Sequence, residues 1–168
     1  MENSVIYKDC DMLLDELTKF DGSILNLGTF INDDRIRILE KNIGFNLPLD
    51  FKYIISVHNG VSLIGTTVYG LDETFKEESL DKIYHFEHFK VVNPMPAHLF
   101  PFSPDGGGNH YCLDLSQISN DISPVVFWQW DFSYEHLNQI ERCNESFTDW
   151  MQEVMIDWTL EDTNYDGG

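Results

Sequence analysis

Residues 32–60 read NDDRIRILEKNIGFNLPLDFKYIISVHNG, and two helices joined by an elbow are written in that stretch. Asn32, Asp33 and Asp34 supply a cap and favourable charge at a helix N-terminus, Ile36, Leu39 and Ile43 fall on one face, and Gly44 is a left-handed stop. Leu47-Pro48 then opens a second helix, because proline presets the first turn and needs no N–H there. Phe51, Ile54 and Ile55 form its apolar face, Asp50 sits near the positive end of its dipole, and Asn59-Gly60 terminates it.

Outward from this pair the signals change. Toward the N-terminus, Leu13, Leu17 and Phe20 follow Asp9 and Asp11 at helical spacing and predict a short amphipathic helix ending near Asp21-Gly22. Toward the C-terminus, Val61 to Ile64 and Thr66 to Tyr69 flank Gly65 as a hairpin closed by Gly70. A polar stretch, Glu73 to Asp81, leads into a short helix near Leu80 to Tyr84. Val91-Val92, Leu99 to Phe102, Tyr111 to Leu115 and Val125 to Trp130 are further strand candidates, divided by Pro94, Pro96, Pro104, a triple glycine and Pro124. In the last helix Ser146 and Asp149 form a variant capping box, and Phe147, Trp150, Met151, Val154 and Trp158 make one stripe. Helices at the ends and strands between predict an α+β fold: a single, mostly antiparallel central sheet with helices from both chain ends packed on it.

Charge narrows the function. The 168 residues hold ten Lys and Arg against 29 Asp and Glu, for a net charge of −19. Phosphate backbones and anionic membrane surfaces both demand clustered cations, so neither is an expected partner. The net negative charge is concentrated late: residues 91–168 contain 13 acids against a single cation, Arg142. A chain with 42% hydrophobic and 14% aromatic residues can build a core, so the charge is not read as disorder. One domain over residues 1–168 is expected at this length, with an acidic tail over 159–168 that frays. Cys10, Cys112 and Cys143 form no Cys-x-x-Cys pair and read as buried hydrophobes in a reducing compartment. With no basic start, no apolar leader and no membrane-length apolar run, a cytoplasmic location is expected.

Certain motifs together resemble a known family. They are Leu39-Glu40, Gly44, Leu47-Pro48, Asp50-Phe51-Lys52, Asn59-Gly60 and Tyr69-Gly70-Leu71, then Pro101-Phe102, Asp105-Gly106-Gly107-Gly108-Asn109, Tyr111-Cys112-Leu113-Asp114, Pro124-Val125-Val126-Phe127-Trp128 and Phe147 with Trp150. In this order and spacing, over about residues 32–158, they are similar to the SUKH superfamily, which includes the Smi/Knr-type cell-wall assembly regulators of fungi and many bacterial immunity proteins. The resemblance implies an α+β fold with one sheet, no established catalytic residues, and a role in binding other proteins. In bacteria such members typically neutralise a polymorphic toxin, often a nuclease. The polar, His-containing stretch that often follows the Pro-Val-Val strand is replaced here by Gln129-Trp130-Asp131.

Other motifs have plainer readings. The loop Asp105 to His110 can point successive N–H groups into one anion-sized concavity, but it lacks the Lys and Ser/Thr of a phosphate loop and reads first as a tight turn. His85-x-x-His88 places two imidazoles on one helical face without a third ligand. Asp162-x-Asn164-x-Asp166-Gly167 begins like a calcium loop, yet the sequence ends before the bidentate acid of position twelve, so tight calcium binding is not expected. No nucleophile elbow is present. The aromatic run divides by alternation, with Val125, Phe127 and Gln129 on one face and Val126, Trp128 and Trp130 on the other, so a central strand covered on both sides is favoured over an exposed aromatic set.

The expectation is therefore a cytoplasmic immunity-type protein, not an enzyme and without cofactor or metal, whose acidic surface covers a basic toxin domain. Asp105, Asp114, Asp131, Glu135, Glu141 and Glu145 are the candidate partner-binding residues, because they flank the family motifs with only Arg142 nearby. Two alternatives are a regulatory scaffold of the Smi/Knr type and a small-ligand domain using loop 105–110 with His110 and Asp114.

Overall fold

The computed structural model describes residues 2–168. Six α-helical segments and seven strands follow in the order α1 (Glu2–Leu17), β1 (Leu25–Leu27), α2 (Asp33–Ile43), α3 (Leu49–Val57), β2 (Val61–Leu63), β3 (Thr66–Val68), α4 (Leu80–Phe89), β4 (Leu99–Pro104), β5 (His110–Asp114), β6 (Val125–Trp128), β7 (Glu141–Asn144), α5 (Phe147–Trp150) and α6 (Trp158–Asp162). A π-helical turn, Met151–Asp157, joins the last two. No described helix is long and apolar enough to cross a membrane.

The helix pair forms as its local signals require. The Asn32 side chain accepts from the Arg35 N–H, and Gly44 closes α2 with φ 78° while its N–H returns to Glu40. Pro48 stands at the N-cap of α3. Asp50 does more than meet its own helix dipole. It is buried, and its carboxylate accepts from the Phe51 N–H at 2.8 Å and from the Thr148 N–H at 3.2 Å. It thereby holds the start of α5 against α3, and burial pushes its carboxyl up to about 6 although the N–H groups of Thr148, Phe51 and Phe147 oppose that shift. Asn59 likewise reaches beyond helix termination. Its side chain accepts from the Leu71 N–H and donates to Asp72, which pairs through two bonds with Arg35.

The α+β class holds, but the expected single sheet is two antiparallel sheets, β1-β2-β3 and β4-β5-β6-β7. β3 stops at Val68, and β4 carries Pro101 and Pro104, which have no N–H to give a ladder. The sheets meet through a bond from the Tyr69 N–H to the Phe102 carbonyl, 2.9 Å. Strands β1 and β7 arise where none was expected, and Val91-Val92 is not a strand. α1 starts well before Leu13, and its stripe of Ile6, Cys10, Leu13, Leu14 and Leu17 packs on the core.

Both faces of the four-stranded sheet are covered. On the inner face Phe100, Phe102, Leu113 and Val125 join Phe51, Phe147 and Trp150 in the main core, with edge-on contacts such as Phe102–Trp150 at 4.7 Å between centroids. On the outer face Met95, Leu99, Cys112, Val126 and Trp128 form a smaller cluster beneath Tyr134 and Ile140. The alternation expected of Val125 and Val126 is thus realised, though the strand ends at Trp128. Trp158 leaves the stripe predicted for the last helix, because the wider π turn advances the helix face and buries Met155 and Ile156 instead. The last residues meet the turn that follows α1: Phe20 and Tyr165 rings lie 4.8 Å apart, and the Asp21 N–H donates to the Tyr165 carbonyl at 2.8 Å.

Candidate functional site

The triple-glycine loop between β4 and β5 fills its own concavity. Asp105 Oδ1 accepts from the N–H groups of Gly107 at 2.7 Å and Asn109 at 3.0 Å, and its Oδ2 accepts from Asn109 Nδ2 at 2.8 Å. Burial works against the Asp105 charge, but these bonds outweigh it and hold the carboxyl below its ordinary value. Two of the backbone donors that an incoming anion would meet, Gly107 and Asn109, are therefore already used, and Asp105 organises the loop.

Trp130 locks that loop from outside. Its indole N–H donates to the Gly107 carbonyl at 2.9 Å, and its backbone N–H donates to Asn109 Oδ1 at 3.2 Å. A Cβ on Gly108 would lie 2.7 Å from the indole ring, and Gly108 has φ 93°, so glycine is required for both reasons. The loop after β4 and the turn after β6 consequently behave as one unit at one end of the sheet.

The six candidate acids fall into two groups. Asp105, Asp131 and Glu135 lie in these two connections, and Glu141 opens β7 opposite Phe127, so all four stand at the same end of the sheet. Asp114 and Glu145 stand at the other. Asp114 caps the short turn Leu115–Gln117, accepting from the Ser116 N–H at 3.1 Å and its hydroxyl at 2.6 Å. Glu145 pairs with Arg142 at 2.5 Å, which occupies the one cation after residue 90. Among the described residues the side chains of Asp131, Glu135 and Glu141 enter no ion pair, and all three are exposed.

Beneath the loop lies a polar pair that sequence reasoning missed. His110 and Glu87 are both buried, with His110 Nδ1 3.8 Å from Glu87 Oε1, and neither His110 Nδ1 nor Glu87 Oε2 has a hydrogen-bond partner. Burial pushes His110 down to about 4, so the imidazole is neutral near pH 7 and the approach is not an ion pair, and burial also raises Glu87. Only the fold brings them together, because Glu87 faces inward from α4.

The ligand-site alternative loses its geometry here. His110 is buried, and Asp114 stands four residues along the same strand, about 13 Å away at strand rise. They do not converge on one point. The two nitrogens of His88 already lie 2.6 and 3.0 Å from the carbonyls of Tyr84 and Pro96. Among the described residues no three His, Cys, Asp or Glu side chains gather as a metal site. Burial pushes the Cys10 thiol up to about 12 and Cys143 up to about 11, far from a nucleophilic thiolate.

The model of the SMI1 / KNR4 family (SUKH-1) matches residues 31–153, from the start of the helix pair into the π-helical turn of the last helix. No curated protein matches the chain.

Proposed function

The chain belongs to the SMI1 / KNR4 family (SUKH-1), and on that premise we propose that it is an immunity-type binding protein that neutralises a bacterial polymorphic toxin in the cytoplasm. Members of this family are in general binding domains rather than enzymes. The toxin domain is basic, as a nuclease that holds phosphates must be, and the chain covers its active site by direct contact. The observation that carries this reading is the acidic half of the molecule: 13 acids follow residue 90, and the lone Arg142 among them is neutralised by Glu145. Unpaired acids at one end of a rigid sheet steer a cationic partner and oppose anionic competitors.

Co-expression with the toxin domain encoded beside this gene tests the reading. Restored growth and a one-to-one complex are expected. A chain that neither binds nor protects removes the proposal.

A further inference from the structure

Four exposed rings and a valine stand on two segments that meet at Asn93, α4 with its following connection and the turn after β6. Phe86 and Phe89 lie three residues apart on the outward face of α4, and Val92 follows in the connection, fully exposed. That connection is tied to the turn after β6, since Asn93 Nδ2 donates to the carbonyls of both Trp130 and Phe132 at 3.1 Å. Trp130 is 52% and Phe132 45% exposed, and the Phe132 ring sits 4.7 Å from Tyr134, which in turn packs on the buried Trp128. The patch therefore rests on the outer cluster and on the Trp130 lock, so its rings are held in place without a partner. Exposed aromatic side chains gathered on linked segments are what a partner-binding surface presents.

The charge around the patch selects what covers it. Residues 83–141 contain one cation, Lys90, against seven acids, and Asp131 and Glu135 project from the same turn as Trp130 and Phe132. A second copy of this chain would bring the same acids face to face, and phosphate or lipid headgroups are repelled in the same way. A guanidinium group satisfies both features at once, because it stacks on aromatic faces and pairs with carboxylates. We propose that the ridge formed by Phe89, Val92, Trp130 and Phe132 is the docking surface for an arginine-bearing segment of a protein partner, whose guanidinium groups stack on the rings and pair with Asp131 and Glu135. This surface deepens the toxin-binding reading and rests on it for the partner's identity.

An octa-arginine peptide titrated into the full chain tests the surface independently of any toxin. Asp131→Lys with Glu135→Lys is expected to weaken the affinity at least tenfold, whereas Glu153→Lys with Glu161→Lys, the same change in net charge on the last helix, weakens it less than threefold. Phe132→Ser, with no change of charge, is expected to weaken it at least threefold, and Val92→Ser does the same from a position outside the core. Octa-lysine should bind at least threefold more weakly than octa-arginine. Equal losses from the two charge-reversed pairs, or apolar variants that bind like the parent, would overturn the surface. If those variants bind the peptide like the parent while the chain still protects against its toxin, the surface falls and the function stands. If the peptide results hold and protection is absent, the function falls alone.

Discussion

The two faces of the four-stranded sheet are built from the same kinds of residue and finished differently. The inner face closes on itself: Phe100, Phe102, Phe147 and Trp150 are fully buried, and the one buried carboxylate there, Asp50, receives two backbone N–H groups. The outer face is finished by a smaller cluster with an open rim: Trp128 is buried, but Trp130 and Phe132 reach solvent. Rings on the inner face define the fold, while rings on the outer face are supported by it and remain available.

The largest effect that could break this contrast is on stability. Trp150→Ala removes a side chain that meets Phe102, Tyr111 and Phe147, and urea denaturation should show a loss of about 3–5 kcal/mol. Phe132→Ala, on the exposed ridge, should cost less than about 1 kcal/mol in the same measurement. Comparable losses would mean that the outer ring is core.

Next in size is the pH dependence of stability, where Asp50 on the inner face and His110 on the outer pull in opposite directions. Asp50 has a folded pKa of about 6, above its ordinary value of 3.8, so its proton is held more tightly in the folded chain. Its contribution is greatest at low pH and is lost as pH rises from about 4 to 6, by about 3 kcal/mol. His110 has a folded pKa of about 4, below 6.5, so the folded chain binds that proton less tightly and its contribution is lost as pH falls from about 6.5 to 4. The parent curve should be shallow across this window. His110→Gln should unmask a decline as pH rises from 4 to 6, which Glu87 reinforces because its shift has the same sign as that of Asp50. Adding Asp50→Asn should remove most of that decline. A parent curve unaffected by His110→Gln would show that the outer pair is solvated.

A smaller effect tests the lock. Gly108→Ala sets a Cβ against the Trp130 indole at a left-handed φ, and should cost about 1–2 kcal/mol while red-shifting the tryptophan emission. Unchanged emission would leave the loop and the turn independent. Smallest of all, Asp131→Lys with Glu135→Lys should leave stability within about 0.5 kcal/mol of the parent, since both acids are solvated.

The inner face was the more legible in the sequence. Caps, Pro48, Gly44 and the apolar spacing of α2 and α3 are local signals, and the alternation of Val125 to Trp128 sorted residues between faces correctly. What escaped depends on distance along the chain. Asp50 reads as a helix-start acid, yet its second partner, Thr148, is 98 residues away. β1 is three residues long and β7 is Glu-Arg-Cys-Asn, neither with enough apolar period to announce a strand. The π turn that turns Trp158 outward has no compositional mark, and acids at positions 9 and 11 masked the first turns of α1. Among the candidate acids, three had local clues to structural duty. Asp114-x-Ser116 is an Asx-type cap, Asp105 precedes glycines and an Asn, and Glu145 stands three residues after Arg142. Asp131-x-Ser133 repeats the spacing of Asp114-x-Ser116, so spacing alone did not separate Asp131, Glu135 and Glu141 from the structural acids. The outer ridge was hidden because its two halves, α4 with its following connection and the turn after β6, are brought together by Asn93 across 37 and 39 residues of chain.

The account's central claim is that acids at one end of the sheet receive a basic partner. It is tested most directly by the association rate of the chain with the toxin domain encoded beside it, followed as ionic strength is raised. Electrostatic steering predicts a rate that falls on the order of tenfold or more between low and high salt, with the fall reduced in Asp131→Lys/Glu135→Lys and retained in Glu153→Lys/Glu161→Lys. A rate that is flat with salt, or the same salt dependence in both variants, would contradict it.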